Sequence, residues 1–314
     1  MKKTAAVLLA LILAVSLFAC SGGENVTTAA ETQNGTETKT DVTSPSQNNE
    51  TSAETNEEAP GTEPEPVKGN EDLEVSEKLD YVMIAGMGGC TEKDVVIPSH
   101  INGKPVTVID EDAFCESDIM SIVIPWTVRK IDEDAFVDCK NLVSVTLSEG
   151  LESISNSAFY GCAALKSITL PASLRGVSSY AFRGCISLEE VVILGDTRLE
   201  NGIFQDCTSL KSITVKSPGN ETYPYGSSIC PQESLQTLVL SEGLTKIGSW
   251  AFADTPELKE VYLPKSLTEI DSCAFLRSGI TKVYYAGSED EWKAINVKSS
   301  NEPLSDAEIV YNYK

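Results

Sequence analysis

The segment LKSITLPASLRGVSSYAFRGC, residues 165–185, decides the fold of this 314-residue chain. Its first apolar residues after Leu165, Ile168 and Leu170, alternate with hydroxyl side chains, which is the period of a β-strand with one buried face. Pro171 follows at once and ends the strand, because proline has no N–H to donate to a sheet. The segment therefore predicts a short strand and then a turn, with apolar side chains directed inward.

This pattern recurs along the chain, and its clearest marker is an alanine, or once an isoleucine, followed by phenylalanine. Successive phenylalanines of this kind lie 22 or 23 residues apart, except for one gap of 48 residues. Aligning that gap on Leu235 places Ile229 at the phenylalanine position, which gives eight units in a row. The repeated phenylalanines are Phe114, Phe136, Phe159, Phe182, Phe204, Phe252 and Phe275. A period of this length predicts a solenoid, in which each unit is one coil that buries its apolar face against its neighbours.

The consensus of the units, L-x-x-I-x-L-P-x-x-L-x-x-I-x-x-x-A-F-x-x-C, resembles the BspA-like leucine-rich repeat family of bacterial surface proteins. The resemblance covers about residues 94–285, and residues 285–295 look like the closing segment of that family. We therefore expect a leucine-rich repeat solenoid: a right-handed coil with one parallel β-sheet along one face, short strands and turns elsewhere, and capped ends.

Composition divides the chain into three parts. The predicted parts are a lipoprotein signal peptide at residues 1–19, a disordered stalk at 20–71 and the leucine-rich repeat domain at 72–314, with an N-terminal cap at 72–93, repeats at 94–285 and a C-terminal cap at 286–314. Residues 21–70 contain no aromatic residue and are rich in Thr, Glu, Asn, Ser and Pro. Such a composition cannot bury enough apolar area to offset the entropy of ordering.

The leader begins with two lysines and continues as an apolar run that is typical of a signal-peptide core. It closes on Leu17-Phe18-Ala19-Cys20, which resembles the bacterial lipobox and implies lipidation of Cys20. Phe18 departs from the usual small residue, so an ordinary signal peptide with a chance cysteine is the alternative. We expect an exported protein that is lipid-anchored to the bacterial cell membrane and exposed at the surface.

The charge is strongly acidic: 24 Lys and Arg stand against 47 Asp and Glu, a formal net charge of −23. About half of it lies in residues 21–79, which carry 14 acids and 3 lysines. Such a surface repels phosphate backbones, so we expect no nucleic-acid partner. It also repels anionic lipids, so membrane contact is expected through the N-terminal lipid only.

Four of the nine cysteines occupy one position of the repeat, three residues after the phenylalanine: Cys139, Cys162, Cys185 and Cys207. We expect them to stack as an inward column of free thiols in the structural core, together with the phenylalanines. Parallel side chains on adjacent coils do not point at one another as a disulfide requires. No role is assigned to Cys90, Cys115, Cys230 or Cys273.

Catalysis is not predicted. The single histidine, His100, leaves no cluster for zinc and no pair for acid–base chemistry. Glu190 and Glu260 are predicted three coils apart, about 14 Å, too far for a two-carboxylate glycosidase. The acidic triplets 110–112 and 132–134 bring six carboxylates together, but a solvated acidic patch is favoured over a calcium site. We therefore expect no metal and no cofactor.

The exposed face of the predicted sheet supplies the candidate binding site. Most of its residues are Ser and Thr, and towards the C-terminus Val239, Tyr262 and Tyr284 form an apolar strip beside Lys282. This composition is expected of a contact surface. The alternative is that these residues simply suit a solvated face of β-strands and bind no partner. A second candidate is the Gly/Pro-rich stretch with Tyr223 and Tyr225, although its unit is only two or three residues longer than its neighbours and an irregular coil is the favoured explanation.

These observations favour a non-catalytic cell-surface lipoprotein whose solenoid binds another macromolecule. The family resemblance implies adhesion, with a protein or glycan on a host or bacterial surface as the partner. One alternative is a structural or self-associating component of the cell envelope. A less favoured alternative is a carboxylate-dependent enzyme that acts on polysaccharide.

Overall fold

A computed structural model describes residues 64–216 and 233–313 of the chain. Several predicted features lie outside these residues: the signal peptide, Cys20, the stalk up to residue 63, Tyr223, Tyr225, Ile229 and Cys230. Within the described ranges, no helix is long and apolar enough to span a bilayer.

The described coils are built on two rows of short strands. The first row, here called the open face, contains β3 (Asp94–Val96), β6 (Ser121–Ile124), β8 (Ser144–Leu147), β10 (Ser167–Leu170), β12 (Glu190–Ile193), β14 (Ser212–Val215), β15 (Thr237–Leu240), β17 (Glu260–Leu263), β19 (Lys282–Tyr285) and β21 (Glu308–Tyr311). The second row contains β5 (Lys104–Ile109), β7 (Lys130–Ile131), β9 (Ser153–Ile154), β11 (Gly176–Val177), β13 (Arg198–Leu199), β16 (Lys246–Ile247), β18 (Glu269–Ile270) and β20 (Asn296–Val297). The remaining elements are β1 (Glu74–Glu77), β2 (Val82–Gly86), β4 (His100–Ile101), α1 (Glu289–Lys293) and α2 (Glu302–Asp306).

Strands of successive coils pair in parallel in both rows, which confirms the solenoid expected from the repeat. On the open face the strands form a three-stranded sheet, β3-β6-β8, and a seven-stranded sheet from β10 to β21. The register advances by one whole unit at each step, so that Ser167 faces Glu190 and Glu190 faces Ser212. The short strands expected away from this sheet line up as a second parallel ladder, because each coil repeats the same bend at the same place.

The predicted phenylalanines form the centre of the core. All seven are at most 1% exposed. From Phe114 to Phe182 the ring centroids of neighbouring coils lie 4.8–5.1 Å apart, with rings within 3° of parallel. This separation is close to the strand spacing of a sheet, about 4.8 Å, so the backbone ladder and the ring stack keep the same step.

The four repeated cysteines are fully buried free thiols that donate hydrogen bonds backwards along the solenoid. The Sγ of Cys139 lies 3.0 Å from the carbonyl oxygen of Phe114, one coil earlier, and the Sγ of Cys162 lies 3.2 Å from that of Phe136. Cys185 and Cys207 repeat the contact at 3.3 and 3.1 Å. The thiol thus fills a small space and links each coil to the one before it through a carbonyl group that also accepts a backbone N–H.

Each of the seven coils with a described bend turns tightly around its Ala-Phe or Ile-Phe pair, and the residue before the pair has a left-handed backbone. This residue is Asp112, Asp134, Ser157, Tyr180, Gly202, Trp250 or Cys273, with φ between 52° and 66°. A second left-handed residue follows two positions after the phenylalanine, for example Asp138 and Asp206. Glycine and short polar residues adopt this conformation most readily.

The N-terminal end is covered by more of the chain than the sequence predicted. β1 and β2 form an antiparallel hairpin, and β2 continues the second row by pairing with β5. Before them, the Val67 N–H donates to the Ser99 hydroxyl at 2.9 Å, and the Ser99 N–H donates to the Val67 carbonyl at 3.0 Å. These hydrogen bonds lie on the stalk side of the boundary predicted at residue 71. Residues 64–71 carry few apolar groups, but their backbone pairs with the first coils.

The C-terminal end is closed by α1 and by a cluster of charges. Ser288 and Glu291 form a capping box at the start of α1, and Trp292 packs edge-on against the buried ring of Tyr285, with centroids 5.3 Å apart. On the second row, Lys246 and Lys298 each reach the carboxylates of both Glu269 and Asp271 at 2.7–3.4 Å. These contacts tie β16, β18 and β20 together.

The ring stack predicts a large penalty for truncation. Phe159→Ala removes a fully buried ring that contacts both neighbouring rings, and we expect a loss of about 3–5 kcal/mol in the free energy of unfolding. Urea denaturation followed by circular dichroism measures it. As a control, Ile186→Ala removes an exposed side chain and should cost less than about 0.5 kcal/mol. Equal losses in the two variants would contradict the stacked core.

The thiol column predicts a site-specific pattern of alkylation. Burial raises the pKa of the Cys185 thiol, and the hydrogen bond with Cys139 and burial raise that of Cys162. Because all four repeated cysteines are fully buried, maleimide at neutral pH should not reach them in the native chain and should label all of them in urea. Cys115 is exposed and should react in the native state, slowly because partial burial and the nearby Asp112 raise its pKa. Peptide mass spectrometry reads each site, and native labelling of Cys162 as fast as Cys115 would refute the column.

Candidate ligand-binding surface

The open face presents two columns of outward side chains, because successive strand residues point to opposite faces and the strands are in register. One column runs from Ser167 through Glu190 to Lys282, and the other runs from Thr169 to Tyr284. Along the first column Glu190 and Glu260 are three pairings apart, as predicted. Five of the twelve residues in these two columns are Ser or Thr, and two are Val.

At the C-terminal end of the second column the tyrosines form a defined cluster. The rings of Tyr262 and Tyr284 stack with centroids 4.5 Å apart and planes within 6°. Val239 precedes Tyr262 in register on the neighbouring strand. The structure thus brings Val239, Tyr262 and Tyr284 together beside Lys282. We call these four residues, with Tyr313, the tyrosine patch.

Tyr313 was not predicted as part of this surface. Its ring contacts both stacked rings, with centroids 5.2 Å from that of Tyr262 and 5.2 Å from that of Tyr284, at steep angles to both. The backbone of Tyr313 is held by a hydrogen bond from its N–H to the carbonyl of Tyr285. Tyr313 lies after the last repeat, so the repeat period carried no information about where its ring would go.

Charged groups frame the tyrosine patch. The Lys282 ammonium lies 5.0 Å from the centroid of the Tyr284 ring and 3.8 Å from the carboxylate of Glu308. A hydrogen bond with the Tyr284 hydroxyl and the nearby Glu308 raise the pKa of Lys282, so it stays charged at neutral pH. The Tyr262 hydroxyl donates to Glu260 at 3.2 Å. Burial, and then the Glu260 charge, raise the pKa of Tyr262, so its phenol stays protonated.

The patch therefore offers aromatic rings, hydroxyl donors and acceptors, and one ammonium group within a few ångströms. It contains no group activated as a nucleophile or a base. This combination suits recognition of a partially apolar surface by stacking and hydrogen bonding. The column alternation predicted the strand residues, and the coil-to-coil register explains why the two rings stack.

The other predicted polar sites do not form a metal or catalytic centre in the described part of the chain. The acidic triplets are engaged locally: Asp132 binds the Lys130 ammonium at 2.9 Å and accepts the N–H of Glu133. Among the described residues, no group of three His, Cys, Asp or Glu side chains is placed to hold a metal ion. The four cysteines without an assigned role do not add a site either: Cys90 and Cys273 are half-buried, Cys115 is exposed, and Cys230 lies outside the described residues.

His100 lies at a shallow cavity rather than in a catalytic set. Its ring faces Trp126, with centroids 6.2 Å apart, and the cavity of about 310 Å³ is also lined by residues 64–66 and Gly103. The Ser99 hydroxyl lies 3.1 Å from Nδ1 of His100, but Ser99 is fully buried and its oxygen accepts the N–H of Val67. This serine cannot reach a substrate as a nucleophile.

The parallel strand rows and the repeat define a leucine-rich repeat solenoid, and comparison with known families identifies its type. The profile of the BspA type leucine-rich repeat region matches in 6 copies, over residues 107–225 and 225–295. The matched residues make up more than half of the chain. The chain therefore belongs to the BspA-type leucine-rich repeat family, as the repeat consensus predicted.

Several solved structures are similar to this chain. A leucine-rich repeat protein of T. pallidum is 25% identical, with 60% of this chain and 88% of that chain covered and a TM-score of 0.48. A leucine-rich repeat protein of Bacteroides ovatus is 24% identical, with 78% and 70% covered and a TM-score of 0.46. A leucine-rich cell surface protein of Faecalibacterium prausnitzii is 17% identical, with 75% and 98% covered and a TM-score of 0.34. No functionally curated protein matches the chain.

The contact of Tyr313 with the patch predicts a coupled change in stability and titration. Tyr313→Ala removes two aromatic contacts and should lower the free energy of unfolding by about 1–2 kcal/mol. It also uncovers Tyr262, so the pKa of that phenol should move down towards its ordinary value, because burial is the main cause of its elevation. Ultraviolet difference titration measures the phenols. Tyr160→Ala on a distant coil is the control, and an unchanged Tyr262 titration in Tyr313→Ala would contradict the contact.

Proposed function

We propose that this chain is a non-catalytic cell-surface lipoprotein whose solenoid binds another macromolecule through the tyrosine patch. The observation that carries the proposal is the stacked pair of Tyr262 and Tyr284 on a face whose other side chains are mostly short. Aromatic side chains, tyrosine among them, are enriched at the centres of protein contact surfaces. The partner is a protein or a glycan on a host or bacterial surface, in line with the adhesion that the family resemblance implies.

Attachment of the solenoid is part of the same proposal. The leader and Cys20 support export and lipid anchoring, and two acyl chains on one cysteine would hold the protein stably at the membrane. A flexible stalk of about 50 residues has a root-mean-square span of roughly 35–40 Å, which would carry the binding face beyond the lipid headgroups. Membrane contact is assigned to the lipid alone.

The family and fold are those of repeat scaffolds that usually bind rather than catalyse. The pair of carboxylates considered in the sequence analysis does not favour catalysis, because Glu190 and Glu260 stand about 14 Å apart across three pairings. Paired carboxylates that cleave glycosides lie within about 9.5 Å of one another. An activity on polysaccharide would require turnover, which the experiment below also records.

Self-association in the cell envelope is the second candidate, and one observation favours it. β21 ends the seven-stranded sheet, with a partner strand on one side only, and its sequence EIVY contains no lysine or proline. Edge strands of this kind are templates for pairing with a second chain. Pairing of two copies through β21 would bring their tyrosine patches close together.

The test uses residues 21–314 in biolayer interferometry against immobilised matrix proteins, mucins and bacterial wall preparations, at two salt concentrations. Wild type should bind at least one surface saturably, and Tyr262→Ala/Tyr284→Ala should weaken that binding at least tenfold, equivalent to about 1.4 kcal/mol. The matched control is Thr169→Ala/Val192→Ala, which alters the same column on earlier coils and should leave binding intact.

Four results would count against the proposal. Equal binding by wild type and the tyrosine double variant would show that the patch is not part of the contact. Release of reducing sugar from the wall preparations would show that the chain is an enzyme. Sedimentation of the unliganded chain as a dimer, with no binding across the panel, would favour self-association. A strong fall in binding at high salt would assign the contact to charge rather than to the tyrosine rings.

A further inference from the structure

A second group of exposed aromatic residues lies away from the open face, at the bends that carry the Ala-Phe pairs. In most coils the left-handed residue before the pair is an acid, a serine or a glycine, which suit this backbone. Tyr180 and Trp250 occupy the same position with φ of 61° and 62°. Bulky residues rarely adopt this conformation.

Burial does not explain these two aromatic residues. Tyr180 is 41% exposed and Trp250 is 43% exposed, whereas the phenylalanine of each of their coils is in the core. A stable coil does not need either ring, because Ser157 and Gly202 fill the equivalent position on the coils before and after Tyr180. The two exposed rings therefore call for another explanation.

The Tyr180 ring is held in place by the neighbouring coil. A Cβ atom added at Gly202 would lie 2.7 Å from Cε1 of Tyr180, so the ring occupies the space that a side chain would fill there. Gly202 occupies the same bend position on the next coil, and its lack of a side chain leaves room for the Tyr180 ring. The ring is positioned by backbone contact and remains open to solvent on the outside.

Arg183 completes the cluster. Its guanidinium carbon lies 5.5 Å from the centroid of Tyr180 and 5.9 Å from that of Tyr160, and its Nε donates to Asp206 at 2.9 Å. The guanidinium has further N–H donors, and the Asp206 carboxylate has further acceptor positions. Two aromatic rings therefore flank a fixed pair of hydrogen-bonding groups with no net charge.

We propose that Tyr160, Tyr180, Arg183 and Asp206, here called the turn-side cluster, form a second binding site, which takes a neutral glycan. A sugar ring has an apolar C–H face that suits an aromatic side chain, and adjacent hydroxyls that both donate and accept hydrogen bonds. The arginine and carboxylate pair matches such hydroxyls. Anionic chains are disfavoured, because Arg183 is already neutralised and Asp138 adds a second carboxylate close to Gly161, next to Tyr160.

Trp250 occupies the same bend position three coils later and is not part of the proposed site. The site is separate from the tyrosine patch, and its existence does not depend on the function proposed for that patch.

The test is native affinity electrophoresis of residues 21–314 in gels containing hydroxyethylcellulose, galactomannan or glycogen, with heparin as the anionic polymer. Migration is normalised to a gel without polymer. The wild type should be retarded by at least one neutral polymer, and Tyr180→Gly should lose that retardation. Ser157→Gly changes the same backbone position one coil earlier without removing a ring, and should behave as wild type.

The Tyr180→Gly variant also separates binding from folding. Glycine suits the left-handed backbone, so the midpoint of thermal unfolding should not fall. Should it fall by more than about 5 °C, Arg183→Gln replaces it as the test variant under the same criteria. Tyr262→Ala/Tyr284→Ala should keep the retardation by the neutral polymer, which distinguishes this site from the tyrosine patch.

Three outcomes would overturn the proposal: no retardation by any neutral polymer, equal retardation of the wild type and the turn-side variant, or retardation by heparin alone. Loss of retardation in the Tyr262→Ala/Tyr284→Ala variant with retention in Tyr180→Gly would move glycan binding to the open face and would also refute the turn-side site.

Discussion

The contact on which the whole solenoid depends is the stack of one phenylalanine on the next. Between Phe114 and Phe182 the rings repeat at nearly the spacing of paired strands, so backbone hydrogen bonds and side-chain packing reinforce one step length. The thiols beside the rings donate a second hydrogen bond to phenylalanine carbonyl groups one coil earlier, which already accept a backbone N–H within their own coil. Where the step is less regular, as between Phe182 and Phe204, the planes tilt by 24°.

Much of this architecture could be predicted from the sequence, because a solenoid has few kinds of contact and repeats each of them. The period located the phenylalanines, the cysteines and both columns of the open face. The second ladder was less visible, since two-residue strands such as β9 leave almost no alternation to detect. The contact between Val67 and Ser99 was not predicted for a different reason: it is made by backbone groups and one hydroxyl, which leave no apolar pattern.

The candidate surfaces also divide into features that the repeat period predicts and features that it does not. Tyr262 and Tyr284 were predicted together because they occupy one repeat position on adjacent strands. Tyr313 lies outside the repeat, and the turn-side cluster joins residues at different positions of the repeat. The repeat period predicts neither kind of contact. The Arg183 side chain, for instance, joins a tyrosine of its own coil to one of the preceding coil. Tyr180 and Trp250 are visible in the sequence, but they stand out only when the left-handed backbone of the bend, which favours glycine, is known.

The column of thiols has a consequence for how the chain is made. In the finished coil Cys139, Cys162, Cys185 and Cys207 are shielded by the interior and each is engaged with a backbone carbonyl. In the nascent chain the same cysteines are separated by 22 or 23 residues and are free to meet. A disulfide formed at that stage would tie two future coils together in a geometry that the column cannot accommodate. The order of events therefore matters: coiling must outpace oxidation, and a compartment that oxidises thiols quickly would select for rapid local propagation from one coil to the next.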